Sequence, residues 1–375
     1  MKIALEIQPA LNNRTGIGWY TYEIVKRLRN GKDTFHCFCF NFLGENIIDI
    51  DKRNFPIDIE EFKLFPYSIY TRLWDYIPIS YNHFFKQKVD IIHFFNYIVP
   101  PNIKGKIILT VYDMVYKNFR ETMTKKNYNR LEKNLSRSVN RADLIITISE
   151  NSKNEISKYL LVDKDKIKIV YPGVEIEKFN RIPNVNEISS IREKYNLPTS
   201  YILYLGTIEP RKNIKRIIDS FYIYKQNNLN YLKLVIAGKK GWMFDKIFDK
   251  INKYGIIDDI IFTGYVDEGD KPFIYKLSKV FVFPSLYEGF GMPVLEAMAA
   301  SAPVITSNSS SLPEVAGDAA ILVDPYDIQS IAKAMEQVVS NDSLREDMIK
   351  KGLKQCLNFT WEKSIEKLYK IYSSL

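Results

Sequence analysis

Nine residues of this sequence carry its most suggestive chemistry: Glu288-Gly289-Phe290-Gly291-Met292-Pro293-Val294-Leu295-Glu296. They follow the apolar run Val280-Phe281-Val282-Phe283 and the turn Pro284-Ser285, and they run into Ala297-Met298-Ala299 as the opening of a helix. Two carboxylates therefore bracket a glycine-bearing loop at the carboxyl end of a buried strand. Glycine lets backbone N–H groups approach a ligand closely, and the start of a helix favours an anion. Carboxylates in that setting suit the hydroxyls of a sugar while the amides hold a phosphate. The competing reading is two solvated glutamates on an ordinary loop and helix, and the glycines and the helix entry weigh against it.

A second cluster is cationic. Arg211 and Lys212 stand where a helix begins, a place the helix dipole disfavours for positive charge unless an anion is bound there. Two fixed cations would stabilise a diphosphate leaving group as it gathers negative charge. Gly16 and Gly18 follow the first strand, but Thr21 stands where a dinucleotide fingerprint needs its third glycine. A turn that opens the backbone to a phosphate or an acceptor, or a merely tight turn, remain as readings. His93 ends the run Asp90-Ile91-Ile92, and Tyr112-Asp113 ends Ile107-Ile108-Leu109-Thr110-Val111; both ends should open on a ligand cleft. His93 reads equally as a cleft residue or as a satisfied structural histidine. A tyrosine titrating near pH ~10 cannot act as a base at neutral pH, so Tyr112 is left as a hydrogen-bond donor.

The elements that must position these residues are short apolar strands alternating with helical stretches. Strands are predicted at 2–7, 34–41, 59–64, 90–94, 106–111, 143–148 and 167–170, with helices at 17–28, 69–87, 125–141 and 151–160. A polar, Asn-rich and Pro-bearing stretch at 180–190 reads as a linker. A second series follows, with strands at 201–205, 231–237, 259–263, 279–283, 303–306 and 319–323. Its helices are expected at 212–226, 243–254, 270–278, 291–300, 327–340, 342–356 and 361–373. The pattern is α/β: two Rossmann-like parallel-sheet domains facing across a cleft.

At this point the sequence resembles the retaining family-4 glycosyltransferases, which carry a Glu-x7-Glu signature in this context. The resemblance runs along nearly the whole chain. Tyr204-Leu205-Gly206-Thr207-Ile208-Glu209-Pro210-Arg211-Lys212-Asn213 looks like that family's strand-to-helix phosphate segment, and Ile261-Phe262-Thr263-Gly264-Tyr265-Val266 like its base-pocket strand and loop. Leu312-Pro313-Glu314-Val315-Ala316-Gly317-Asp318-Ala319-Ala320 is similar to the segment after the donor site, and Arg14-Thr15-Gly16-Ile17-Gly18-Trp19-Tyr20 to the amino-terminal glycine loop. The wording resembles most the branch rich in bacterial mannosyltransferases of polysaccharide assembly.

The resemblance implies the GT-B fold, with residues 1–180 binding acceptor and 181–357 binding a nucleotide diphosphate sugar. It implies that the helix at 358–375 packs back on the amino-terminal domain. It assigns Glu296 to ribose hydroxyls, Glu288 to the sugar, and Arg211 with Lys212 to the diphosphate. Gly16, Gly206, Gly264, Tyr265, Gly289, Phe290, Gly291, Met292, Pro293, Val294 and Leu295 would line the donor, with His93, Tyr112 and Asp113 on the acceptor side. Family members often have His-Asp where this chain has Tyr112-Asp113, so the histidine's role is not carried over to position 112. GDP-mannose is the first choice of donor, then UDP-glucose or UDP-N-acetylglucosamine, and the acceptor is a glycan or lipid-linked glycan. A nucleotide-sugar epimerase, a phosphorylase and a non-catalytic nucleotide-sugar-binding protein are the rivals.

Composition bounds the rest. A chain of 375 residues exceeds one typical core. Asp49-Ile50-Asp51 and Asp163-Lys164-Asp165 are short acidic spacings without a convincing strand before them, and Cys37 and Cys39 lack a second ligand pair. Catalysis independent of metal and cofactor is therefore expected. Three cysteines and no basic-then-apolar leader point to a reducing cytoplasm, and no apolar run reaches the ~18 residues of a membrane span. The net charge of +9 gathers in part on 125–141, where Lys125, Lys126, Arg130, Lys133, Arg137 and Arg141 face Glu132 alone. That stretch reads equally as a contact with the inner face of a membrane or as the solvated face of a packed helix. No nucleic-acid module is recognisable.

Overall fold

The computed structural model describes residues 1–11, 16–44, 57–74, 76–77, 79–84, 88–228, 232–239 and 245–375. The chain forms two compact units, Met1–Pro172 with Trp361–Leu375, and Gly173–Thr360. Each is built on a parallel sheet whose strands are short and apolar because both faces are covered.

In the first unit the strands are β1 (Lys2–Glu6), β2 (Thr34–Phe40), β3 (Ile59–Phe62), β4 (Ile91–Phe94), β5 (Lys106–Thr110), β6 (Leu144–Thr147) and β7 (Ile167–Ile169). They lie in the order β3-β2-β1-β4-β5-β6-β7, with every pairing parallel. The connecting helices are α1 (Gly16–Arg27), α2 (Tyr67–Leu73), α3 (Val115–Asn118), α4 (Lys125–Arg141) and α5 (Glu150–Leu160). Ile3, Leu5, Ile92, Ile108, Leu109 and Ile145 form the buried centre of the sheet.

The second unit carries β8 (Tyr201–Leu205), β9 (Lys233–Ala237), β10 (Ile260–Gly264), β11 (Val280–Phe283), β12 (Val304–Ser307) and β13 (Ala320–Val323). Its helices are α6 (Ile176–Phe179), α7 (Val185–Tyr195), α8 (Ile214–Asn227), α9 (Asp245–Tyr254), α10 (Lys271–Lys276), α11 (Met292–Ala299), α12 (Leu312–Ala316), α13 (Ile328–Ser340) and α14 (Asp342–Cys356). The order β10-β9-β8-β11-β12-β13 is again parallel. Strands added after β8 run outward on one side and those from β11 onward on the other. The sheet therefore reverses its strand order between β8 and β11, and the carboxyl ends of such a pair leave a crevice where ligands bind.

The last helix, α15 (Trp361–Ser373), belongs to the first unit. Ser364 Oγ donates to the Tyr171 carbonyl at 2.6 Å, Tyr372 Oη lies 2.8 Å from His93 Nδ1, and Phe35 packs against Tyr369 and Tyr372.

Two expectations of local structure are corrected. The helix expected over 69–87 is a shorter one, Tyr67–Leu73, followed by a 3-10 turn at Tyr81–Phe84. Ile77 precedes a proline, which biases it away from helical backbone. The stretch expected as a linker at 180–190 holds the start of α7. There Asn184 accepts from the Glu187 N–H while the Glu187 carboxylate accepts from the Asn184 N–H, so polar composition marks a helix cap. The chain passes between units at Pro172–Gly173 and again at Thr360–Trp361.

Candidate functional site

The crevice between β8 and β11 is built from two loops stitched together. After β8 the chain runs through Gly206 to Glu209, makes a 3-10 turn at Pro210–Lys212, and enters α8 from Asn213 with φ 66°. Asparagine tolerates that left-handed backbone better than most residues. Its buried amide donates to the carbonyls of Pro284 (2.9 Å) and Pro325 (2.6 Å), which fixes the β8 loop against the β11 loop. From the neighbouring strand Gly238, at φ 142°, comes so near that a Cβ there would sit 2.0 Å from the Gly206 carbonyl oxygen. No side chain fits.

The β11 loop is held from both sides. Ser310 Oγ accepts from the Glu288 N–H at 3.0 Å, and Ser311 Oγ lies 2.8 Å and 2.7 Å from the carbonyls of Glu288 and Phe290. Gly291 opens α11 at φ 118°, with the position of a Cβ 2.7 Å from Leu312 Cδ2. Left-handed backbone and a close neighbour both require glycine there. Phe290, Val294 and Leu295 are buried and anchor the segment, while Met292 and Pro293 are half-buried in the first turn.

These loops bring Arg211, Lys212 and Glu288 into one ion cluster. Glu288 Oε1 lies 2.7 Å from Lys212 Nζ and accepts from Ser285 Oγ at 2.6 Å, while Oε2 lies 3.0 Å from Arg211 Nη1. Arg211 Nη1 also donates to the Tyr287 carbonyl, and Nη2 lies 2.6 Å from Glu209 Oε1. Burial alone would raise the Glu288 carboxyl; the Arg211 and Lys212 charges and the Lys212 and Ser285 hydrogen bonds overcome it and hold the group down at about 2. Burial also pulls the Lys212 ammonium below its ordinary value, opposed by Glu288. Its Nζ lies 5.0 Å from the centre of the Phe283 ring. The result is a half-buried pair of cations around a carboxylate held well below the ordinary range.

Glu296 sits four residues into α11, half-buried, and accepts from Tyr275 Oη at 3.1 Å. Burial raises its carboxyl above the usual range, the Lys271 charge works against that, and Glu268 adds to it. Gly264 ends β10 at φ 71°, and Tyr265 follows with 52% exposure, its ring facing Lys239 Nζ at 4.6 Å.

The first unit treats its expected residues differently. His93 is fully buried, with Nδ1 2.8 Å from Tyr372 Oη and Nε2 2.8 Å from Thr110 Oγ1. Burial drives its pKa down to about 3, so it is a neutral core histidine with both nitrogens engaged by the fold. Tyr112 is buried too, and its hydroxyl donates to the Phe95 carbonyl at 2.8 Å. The donor expected to face a sugar or phosphate at that position is spent inside the unit. Asp113 is half-buried and accepts from the Val115 N–H at 3.0 Å. Gly16 is the first residue of α1, and among the described residues beyond its own helix none comes within 4 Å of where a Cβ would stand.

Arg14 and Thr15 of the same loop, and Asp49 and Asp51, lie outside the described residues. Asp163 caps a 3-10 turn by accepting from the Asp165 N–H. Among the described residues no group of three or more His, Cys, Asp or Glu side chains is placed to hold a metal ion. Reading by motif missed Ser285, Asn213, Ser310 and Ser311, single polar residues whose role appears only when the two loops meet. It also missed the partnership of Glu209 with Arg211, although Glu209 stood two residues away.

Two parallel-sheet units, with half-buried cations and two glutamates at the strand reversal of the second, have the architecture of the GT-B class of glycosyltransferases. Residues 187–355 match the family described as Glycosyl transferases group 1, and residues 14–178 match Glycosyltransferase Family 4. The O-antigen chain mannosyltransferase B of Escherichia coli is 31% identical over 394 aligned residues, covering 100% of both chains. The chain belongs to the family-4 glycosyltransferases. The serotype-specific mannosyltransferase WbdA of Escherichia coli is 32% identical over 69% of this chain, which spans 32% of that longer protein. Among solved structures, Anabaena Alr3699/HepE in complex with UDP and glucose superposes with a TM-score of 0.75 at 15% identity, covering 100% of both chains. WaaG, a glycosyltransferase involved in lipopolysaccharide biosynthesis, gives 0.71 at 14%, covering 98% of this chain and 99% of WaaG. These two likenesses establish the fold.

Proposed function

We propose that this chain is a retaining mannosyltransferase that moves mannose from GDP-mannose to a glycan or lipid-linked glycan during surface-polysaccharide assembly. The observation that carries the reading is the poorly exposed Arg211–Lys212–Glu288 ion cluster at the strand reversal. The full-length likeness to a mannosyltransferase supports the choice of sugar. Arg211 and Lys212 hold the diphosphate and stabilise the charge that develops on it. Glu288 takes ring hydroxyls of the sugar, Glu296 the ribose hydroxyls, and the amides around Gly289 and Gly291 steady the sugar. Gly206, Gly264 and Tyr265 line the nucleotide.

In the transfer, the bond from the anomeric carbon to the phosphate oxygen breaks and a bond to the acceptor oxygen forms on the same face. The acceptor's proton passes to the leaving phosphate, so no side chain is needed as a covalent nucleophile. Incubating the protein with GDP-mannose, UDP-glucose or UDP-N-acetylglucosamine and a panel of glycan acceptors, with mass spectrometry of the products, tests this. Addition of one hexose from GDP-mannose is expected, and it should vanish in Arg211→Ala. Transfer from UDP sugars alone would remove mannose, and binding without turnover would leave a nucleotide-sugar-binding protein.

The acceptor reading has a surface to match. On α4, Lys125, Lys126, Arg130, Lys133 and Arg137 are exposed, and Leu64 and Tyr76 of the same unit are 80% and 83% exposed. No described helix is long and apolar enough to cross a membrane. An exposed row of cations on one helix suits an anionic bilayer surface on the cytoplasmic side. Sedimentation with phosphatidylglycerol vesicles, and its loss with neutral vesicles, is the expected result; equal sedimentation with both would remove the electrostatic contact.

A further inference from the structure

Glu209 belongs to the phosphate-segment motif without an assigned role there, and it lies within the same ion cluster. Arg211 is shared between Glu209, 2.6 Å from Nη2, and Glu288, 3.0 Å from Nη1. Lys212 completes the group, 2.7 Å from Glu288. Two cations thus face two carboxylates, and the side chains of Glu209 and Glu288 are only 21% and 10% exposed, so water screens them poorly. A nucleoside diphosphate entering here adds at least two negative charges to a group already neutral. The two carboxylates differ in what else holds them. Glu288 is bound by Lys212 and Ser285 as well as Arg211, whereas Glu209 meets the guanidinium at Nη2. Arg211 itself stays tethered through Nη1 to Glu288 and the Tyr287 carbonyl, independently of Glu209.

Resting on the donor reading above, we infer that Glu209 is a positioning residue that acts through Arg211. Its carboxylate occupies the guanidinium edge that a diphosphate would use, and its charge sets how readily the nucleoside diphosphate product leaves. The free site is electrically closed by Glu209, and donor binding must compete for Arg211. Product left behind after transfer meets the same competitor, which favours its release. Neutralising Glu209 leaves one cation uncompensated while Arg211 keeps its other contacts. One like charge removed from a poorly screened site corresponds to roughly tenfold in affinity, about 1.4 kcal/mol.

The test is calorimetric titration of GDP and UDP, and of guanosine and uridine, into the wild type, Glu209→Gln and Glu209→Ala. In both variants the diphosphate that the wild type binds should bind about tenfold tighter, with the matching nucleoside unchanged. Diphosphate affinity equal to or weaker than wild type in either folded variant overturns the inference. So does equal tightening of the nucleoside, which would mean a general change of shape. If the wild type binds neither diphosphate, the donor reading fails instead. Should the alanine variant not fold, the isosteric glutamine variant decides alone.

Discussion

Replacing Glu288 by glutamine keeps the shape of the side chain and removes the charge on which the cluster turns. The carboxyl moves from an ordinary 4.5 to about 2 in the native state, which corresponds to about 3 kcal/mol of stability when it is fully ionised. Its side chain is 10% exposed, so screening takes little of this away. The burial that lowers the Lys212 ammonium offsets part of it, and a loss of about 2–3 kcal/mol at pH 7 is expected for Glu288→Gln. The sign follows from the direction of the shift. A depressed carboxyl contributes stability that is present above its unfolded value of 4.5 and is lost as pH falls through about 2. The gap between wild type and variant should therefore narrow on acidification, by about 1.4 kcal/mol at pH ~3.5. Urea unfolding followed by circular dichroism at pH 7, 5, 4 and 3.5 measures it. A gap below about 0.5 kcal/mol at pH 7, or one that stays constant down to pH 3.5, would refute the electrostatic reasoning.

Three further outcomes can be checked. Glu296→Gln should cost transfer about tenfold or more and weaken the discrimination between ribose and 2′-deoxyribose donors; intact discrimination in kcat/KM would move the ribose contact elsewhere. Gly291→Ala meets left-handed backbone and the Leu312 side chain at 2.7 Å, so the folded protein should lose about 1–3 kcal/mol in urea unfolding. Burial pushes the carboxyl of Glu6, on β1, up to about 8 against the pull of the Gln8 N–H and Arg130. A raised carboxyl contributes stability that is full below 4.5 and lost as pH rises through about 8, so Glu6→Gln should gain on the wild type by about 3–4 kcal/mol between pH 5 and pH 8; parallel stability curves would contradict this.

The alternation of apolar strands and helices was plain in the sequence, because parallel strands covered on both faces leave continuous apolar runs such as Tyr201–Leu205 and Val280–Phe283. Helix ends were harder. Asn184 and Glu187 have the composition of a linker but the spacing of a reciprocal cap. At the site, Glu288, Glu296, Arg211 and Lys212 were legible from glycines, helix entry and charge. Their mutual pairing was not, because Lys212 and Glu288 are 76 residues apart and meet only through the adjacency of β8 and β11. His93 and Tyr112 show the opposite limit. A strand end marks where a side chain starts, and α15, from the far end of the chain, is what closes over His93. Nothing local to residues 91–94 could announce Tyr372.

On the reading above, a nucleotide sugar binds on the paired cations of the second unit. Titrating GDP-mannose calorimetrically into the wild type and into Arg211→Ala tests it most directly. Saturable binding by the wild type, weakened in a folded Arg211→Ala protein by at least about 2 kcal/mol, roughly thirtyfold in Kd, is the expected result. Equal affinity in the two proteins would contradict the account.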